Sequence, residues 1–220
     1  MDPADRFATM VNRPAAAPHL DLMAALIGAS FDPAGDPGDV IRELDRLAEL
    51  CEPNFDSVMQ TLFASGRLRG NTEDYTDPRN SFLHVVLQRG LGIPITLGVC
   101  AIEVGRRLEV PIQGIGLPGH FFIECEGRYG DPFAKGATYS VDEVEDAWRR
   151  ASRSPQPFDQ RMLQPAHPRT ILLRMLNNLK NTLVAMDEPA PLLVLAKLRS
   201  AFPECASERD EYARWVRNWN

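Results

Sequence analysis

The stretch Gly116–Gly136, GLPGHFFIECEGRYGDPFAKG, decides how the chain is read. Pro118-Gly119 marks a turn, and the aromatic and β-branched run Phe121-Phe122-Ile123 behind it has strand composition. On the near side of the turn, Ile112, Ile115 and Leu117 indicate a partner strand; on the far side, RYGDPFAKG reads as another strand entering a Gly/Pro-punctuated loop. His120 stands where turn becomes strand, a position from which a side chain faces a cleft. Asp131 closes the next strand eleven residues later. If these strands are antiparallel neighbours, the imidazole and the carboxylate approach each other and form the base and orienter of a nucleophile–base–orienter triad. A turn histidine and a loop-capping aspartate are the alternative that spacing alone leaves open.

Upstream, Pro94 precedes ITLGVCAIEVGRRL, in which only Glu103, Arg106 and Arg107 interrupt small or apolar residues. A helix of that composition is buried on most sides and is therefore central. Its start is where a nucleophile would gain from the helix dipole. The polar side chain of that first turn is Thr96, with Cys100 four residues further along the same face. One turn is about 5.4 Å, whereas a thiol–imidazole hydrogen bond spans about 3 Å, so Cys100 serves as nucleophile only if the helix start unwinds; core packing is its simpler role. Cys125 points away from His120 by period-two counting, and Arg106-Arg107 suits the negative end of the helix.

Outward from this centre, the start of the chain through about Arg13-Pro14 reads as mobile, and Pro18–Ala29 as a helix. Asp39 is a good N-cap for a helix carrying Val40, Ile41, Leu44, Leu47 and Ala48. Asp56–Ala64 is a shorter helix stopped by Gly66. Asn80 or Ser81 caps SFLHVVLQRG, and Asp142–Ala151 is a short helix. Residues 152–168, with Pro155, Pro157, Pro165 and Pro168, have linker composition. Helices follow over Thr170–Met186, Pro191–Phe202 and Ala206–Trp219. Trp148, Trp215 and Trp219 read as packing residues.

The whole chain of 220 residues is 44% hydrophobic and 25% charged, the balance of a folded domain with a core. Its net charge of −6 speaks against gripping phosphate backbones. The imbalance is local, since residues 1–60 hold 11 acids and 4 bases, an acidic helical face. No apolar run spans a bilayer, and the first twenty residues lack a signal-peptide pattern. The scattered cysteines 51, 100, 125 and 205 fit free thiols in a reducing cytoplasm, with no metal-ligand spacing.

The block from about Gly70 to Gly136, with its motifs DPRNSFLHVVLQRGLGIPITL, GLPGHFFIE and DPFAKG, resembles the bacterial transglutaminase-like core of the SirB type, a branch of the papain-like transglutaminase superfamily. RTILLRMLNNLKNTLVAMD is similar to the first helix of the tetratricopeptide-like tail in those proteins. The resemblance implies an α+β fold in which a helical N-terminal region and a central buried helix pack on a small antiparallel sheet, followed by a short all-α tail. It divides the chain into a transglutaminase-like domain (1–151), the linker (152–168) and the C-terminal helices (169–220). It matches His120 and Asp131 to the catalytic histidine and aspartate, and puts the nucleophile's place at or beside Thr96. Tyr75, Asn80, Pro118 and Gly119, with Arg79, fall around the same cleft. A threonine there has no accessible thiolate and is also an ordinary helix-start residue. Two readings follow: a catalytically degenerate module that binds a peptide, protein or small ligand, or a hydrolase or acyltransferase using Cys100 or Thr96 with His120 and Asp131. Neither reading calls for a cofactor or metal, for nucleic acid or for a membrane.

Overall fold

A computed structural model describes residues 1–12, 19–152, 154–186 and 189–205. The expectation of a mobile start does not hold for residues 1–12. Asp2 accepts hydrogen bonds from the backbone N–H groups of Ala4 and Asp5, Pro3 sits at the first helical position, and Pro3–Val11 forms α1. Both devices favour a helix start. The buried Phe7 of α1 packs near Phe202, with ring centroids 6.1 Å apart.

Helix α2 (Leu20–Phe31) is buried along most of its length. In α3 (Pro37–Glu49) the cap is Asp36, not Asp39: Asp36 Oδ1 accepts from Gly38 N at 2.8 Å, and Pro37 provides a fixed φ at the first position, so the helix starts before Asp39. Helix α4 (Phe55–Met59) runs into a π-helical turn, Gln60–Ala64. The short strands β1 (Arg69–Gly70) and β2 (Leu91–Gly92) pair in parallel and bracket a 3-10 turn, Pro78–Ser81, and α5 (Leu83–Arg89). Neither Asn80 nor Ser81 caps α5. Its N-cap is Phe82, without a side-chain bond, because Asp77 has already capped the preceding 3-10 turn.

Helix α6 (Pro94–Arg107) is the central element, buried on nearly every side. It packs on an antiparallel meander of β3 (Gln113–Ile115), β4 (Phe122–Cys125), β5 (Arg128–Asp131) and β6 (Ala137–Tyr139). Gly98 makes the close approach possible, since a Cβ there would lie 2.6 Å from the Phe121 ring. Side chains alternate across β4 as the pleat requires. Phe121, Ile123 and Cys125 join the core around α6, whereas Phe122 faces a second cluster with Ile115, Leu117, Tyr129 and Trp148. Helix α7 (Val144–Ser152) covers that second face.

Between α7 and the next helix, Leu163 of a 3-10 turn, Gln160–Leu163, joins the second cluster, and Ala166 N donates to Gly114 O at 2.8 Å. Helix α8 (Pro168–Met186) buries Ile171, Leu172, Met175, Leu176, Leu179 and Leu183 in the same core as α2 and α6, and α9 (Pro189–Arg199) packs on α8. The expected helix Ala206–Trp219, with Trp215 and Trp219, lies outside the described residues, as do Arg13, Pro14 and Pro18.

Arg106 and Arg107 do more than complement a helix dipole. Asp21 accepts from Arg106 at 3.0 Å and from Arg107 at 2.8 Å, and Arg107 also reaches Asp45 at 2.6 Å, tying the end of α6 to α2 and α3. Burial and the Asp21 charge push the neighbouring Glu103 carboxyl up, against the pull of both arginines. Among the described residues, no helix is long and apolar enough to cross a membrane.

Candidate functional site

The turn Leu117–His120 is closed by His120 N donating to Leu117 O at 3.2 Å, with Pro118 and Gly119 at its two central positions. Gly119 has φ +72°, the left-handed value that this kind of turn requires and that Gly adopts without penalty. Two helices grip the turn from outside. Trp148 Nε1 of α7 donates to Pro118 O at 2.8 Å, and the Arg174 guanidinium of α8 donates to Leu117 O and, at 2.6 Å, to His120 O.

The turn delivers His120 to the edge of the sheet, where its Nε2 lies 2.9 Å from Asp131 Oδ2 at the end of β5. Both groups are buried. The second Asp131 oxygen accepts from Phe133 N at 2.9 Å and Ala134 N at 3.1 Å, so the carboxylate is fully engaged and its orientation fixed. The imidazole is walled by the edges of Phe122, at 4.8 Å, and Phe133, at 6.2 Å. With an ionised acceptor on Nε2, the favoured neutral tautomer carries its proton there and leaves Nδ1 as a lone-pair acceptor. Nδ1 has no hydrogen-bond partner among the described residues and is not sealed from solvent.

A cleft of about 310 Å³ opens beside this pair, lined by Tyr75, the α6 tip (Pro94 and Ile95), Pro118 to Phe121, and Arg174, Asn178 and Asn181 of α8. At the helix tip, Pro94 and Ile95 border the cleft, with Ile95 almost wholly buried in the core. Thr96, the next residue, is fully buried and turned away: its Oγ1 accepts from Ile93 N at 3.2 Å and lies 2.8 Å from Asn80 O and 3.0 Å from Ile93 O. Cys100 is also fully buried, outside the cleft lining, and burial pushes its thiol up to about 12.

Of the other residues expected on the cleft, Tyr75, Pro118 and Gly119 line it, and Asn80 and Arg79 do not. Asn80 is buried behind the helix tip as a hub. Its Oδ1 accepts from Arg89 and from Asn71 at 3.0 Å, and its Nδ2 donates to Asp74 O at 2.8 Å and Tyr75 O at 3.2 Å. Arg79 instead pairs with Asp77 at 3.0 Å. Burial opposes the Asp77 charge, but bonds from Arg79 and Arg89 outweigh it and hold the carboxyl at about 2. This hub fixes the loop that carries Tyr75.

Sequence reasoning missed Ile95, Arg174, Asn178 and Asn181. The last three recur at helical spacing along α8, and an arginine set within the apolar stripe of that helix was the available signal. A second imidazole–carboxylate contact, His84 Nε2 to Asp32 Oδ2 at 2.9 Å, lies elsewhere, on α5. Among the described residues, no group of His, Cys, Asp and Glu side chains is placed to hold a metal ion.

A family model for the transglutaminase-like superfamily matches residues 20–177, a span that holds the His120–Asp131 pair and Arg174. A UPF0162 protein of Xylella fastidiosa (strain Temecula1) is 38% identical over 138 residues, covering 60% of this chain and 49% of the relative. A UPF0162 protein of Pseudomonas aeruginosa is 30% identical over 187 residues, covering 80% of this chain and 69% of the relative. F-box only protein 21 of Mus musculus is 32% identical over 109 residues, covering 44% of this chain and 17% of the relative. The chain thus spans about half the length of the Xylella relatives it matches. No solved structure matches it.

Proposed function

We propose that this chain, which belongs to the transglutaminase-like superfamily, is a catalytically degenerate member of the SirB type whose inherited cleft binds a peptide, a protein segment or a small ligand. The observation that carries the reading is the composition of the helix tip beside His120: Pro94 and Ile95 border the cleft, and neither has a nucleophilic atom. The neighbouring hydroxyl, on Thr96, is committed to backbone groups. The nearest thiol along the helix is buried and held far from its thiolate form. His120 and Asp131 then serve to position the turn and to offer one acceptor, Nδ1, to whatever enters.

The C-terminal helices are read as a tetratricopeptide-like tail that adds a protein-binding surface, with a protein or peptide as partner. Residence in the cytoplasm is supported by Cys51, Cys100 and Cys125 standing as free thiols. The net charge argues against nucleic acid as partner.

One observation favours a second reading, a hydrolase or acyltransferase: the imidazole–carboxylate pair is intact, with Nδ1 bonded to no protein group among the described residues. The two are separated by incubating the protein with a glutamine-containing peptide and a primary amine and measuring intact mass. Degeneracy predicts no covalent acyl adduct and no transamidated product. An adduct mapped to Cys100 or Thr96 and lost in His120→Ala would establish the enzyme instead.

A further inference from the structure

Arg174 stands out among the cations of this chain by what surrounds it. Its guanidinium is largely buried, and burial pulls its pKa below the ordinary value, yet a guanidinium remains charged at any physiological pH. Arg106 and Arg107 meet carboxylates at the far end of α6, and Arg89 meets Asp77. Arg174 meets no carboxylate among the described residues; its protein bonds go to two carbonyl oxygens, both from one nitrogen, Nη2. The remaining donors of the fork are uncommitted among the described residues, and no acidic side chain lines the cleft into which the residue faces. The first turn of α6 adds a positive dipole end to the same wall. In a net-negative protein, this cleft is therefore of positive sign.

The rest of the lining narrows the chemistry. Asn178 and Asn181 lie on successive turns of α8 beyond Arg174, and neither side chain has a hydrogen-bond partner among the described residues. Primary amides offer both donors and acceptors, which suits a peptide group. A single guanidinium supplies one charge in a planar fork that fits a carboxylate; among the described residues, no second Lys or Arg lines the cleft to balance a phosphate dianion. Ile95, Pro118, Phe121 and Tyr75 give an apolar wall, and about 310 Å³ is the size of a residue or two rather than of a folded partner.

Building on the reading of the cleft as a ligand site, we infer that it takes a carboxylate-bearing, peptide-like ligand. Arg174 holds the carboxylate, Asn178 and Asn181 hold the adjoining amide, and His120 Nδ1 accepts from a ligand N–H.

The test is a titration of the full chain, followed by NMR, with N-acetyl-alanyl-alanine, with its C-terminal amide, and with inorganic phosphate. The acid is expected to shift the side-chain resonances of His120, Asn178 and Asn181 saturably, and the amide to bind about tenfold or more weakly. Arg174→Gln is expected to abolish the preference for the acid. Because Arg174 also grips the turn, a second variant is needed: Asn178→Asp, one turn beyond Arg174 on the cleft wall, sets a negative charge near the carboxylate and is expected to weaken the acid about tenfold more than it weakens the amide. Equal binding of acid and amide overturns the inference while leaving the cleft a binding site. Phosphate binding more tightly than the acid overturns the carboxylate assignment. Silence of all these resonances at about 10 mM of every probe overturns the inference and the binding reading together.

Discussion

The hydroxyl oxygen of Thr96 lies 2.8 Å from the carbonyl oxygen of Asn80 and also accepts from Ile93 N. It joins the start of α6 to the loop hub behind the cleft, with the side chain fully buried. A hydroxyl so placed ties two elements of the fold together.

Replacing it tests that role. Thr96→Val keeps the shape but leaves a buried carbonyl and a buried N–H without their partner, a loss of about 1–3 kcal/mol. Thr96→Ser keeps the hydroxyl and is expected to stay much closer to the parent. Equilibrium urea denaturation of the three proteins compares them, and a valine variant as stable as the parent contradicts the role.

Asp131 holds the imidazole and two backbone N–H groups at once. Asp131→Ala is therefore expected to lower the melting temperature, with a loss of at least about 1–3 kcal/mol from buried hydrogen bonds. The same change frees the ring, so the ¹⁵N resonances of His120, held in the Nε2–H form in the parent, should move toward a mixture of tautomers. Unchanged melting and unchanged ring signals would leave Asp131 without the positioning role.

Gly119 works at φ +72°, and a Cβ there would lie 3.2 Å from the Cβ of Ser152. Gly119→Ala is expected to cost about 1–2 kcal/mol from the left-handed backbone, with crowding against Ser152 added to it. Loss of stability in denaturation, together with altered His120 resonances, is the expected pair of results. A change in neither means that the turn does not hold the histidine.

Asp77 provides the pH dependence. Its carboxyl is held at about 2 in the folded protein, below the value of about 3.9 for an unfolded aspartate. Its contribution is thus fully present above about pH 4 and is lost as the pH falls toward about 2. Asp77→Asn should be less stable than the parent at neutral pH, and the gap should close across that acid window. A gap of constant size from pH 7 to 2 would show that the charge on Asp77 is not what stabilises the loop.

How much of this was legible in the sequence depends on the range of the interactions. The central helix and the hairpin of β4 and β5 follow from apolar patterning and from Pro-Gly and Glu-Gly turns, all of which are local. The approach of His120 to Asp131 follows from the same hairpin once the strands are neighbours. Helix α1 was also readable, from Asp2 as cap and Pro3 behind it, although its flank is rich in alanine and proline and suggests a loose end. Strand β6 is short and half exposed, with little alternation to mark it. Asn80 was out of reach for a different reason. Its partners are Arg89, Asn71, the backbone carbonyls of Asp74 and Tyr75 and the hydroxyl of Thr96, and only the folded loop brings these together. The same holds for Trp148 and Arg174, which grip one turn from two distant helices. Whether Ile95 or Thr96 borders the cleft is a question of one residue in helical phase, which periodicity near a helix end does not resolve.

The most direct test of the proposed catalytic degeneracy is the rate at which iodoacetamide labels each thiol in the folded protein near pH 8. With Cys100 buried and its thiol held near 12, the half-buried Cys51 should react before it, and His120→Ala should change neither rate. Rapid, selective labelling of Cys100 that disappears in His120→Ala would contradict the account and make this chain a working cysteine enzyme.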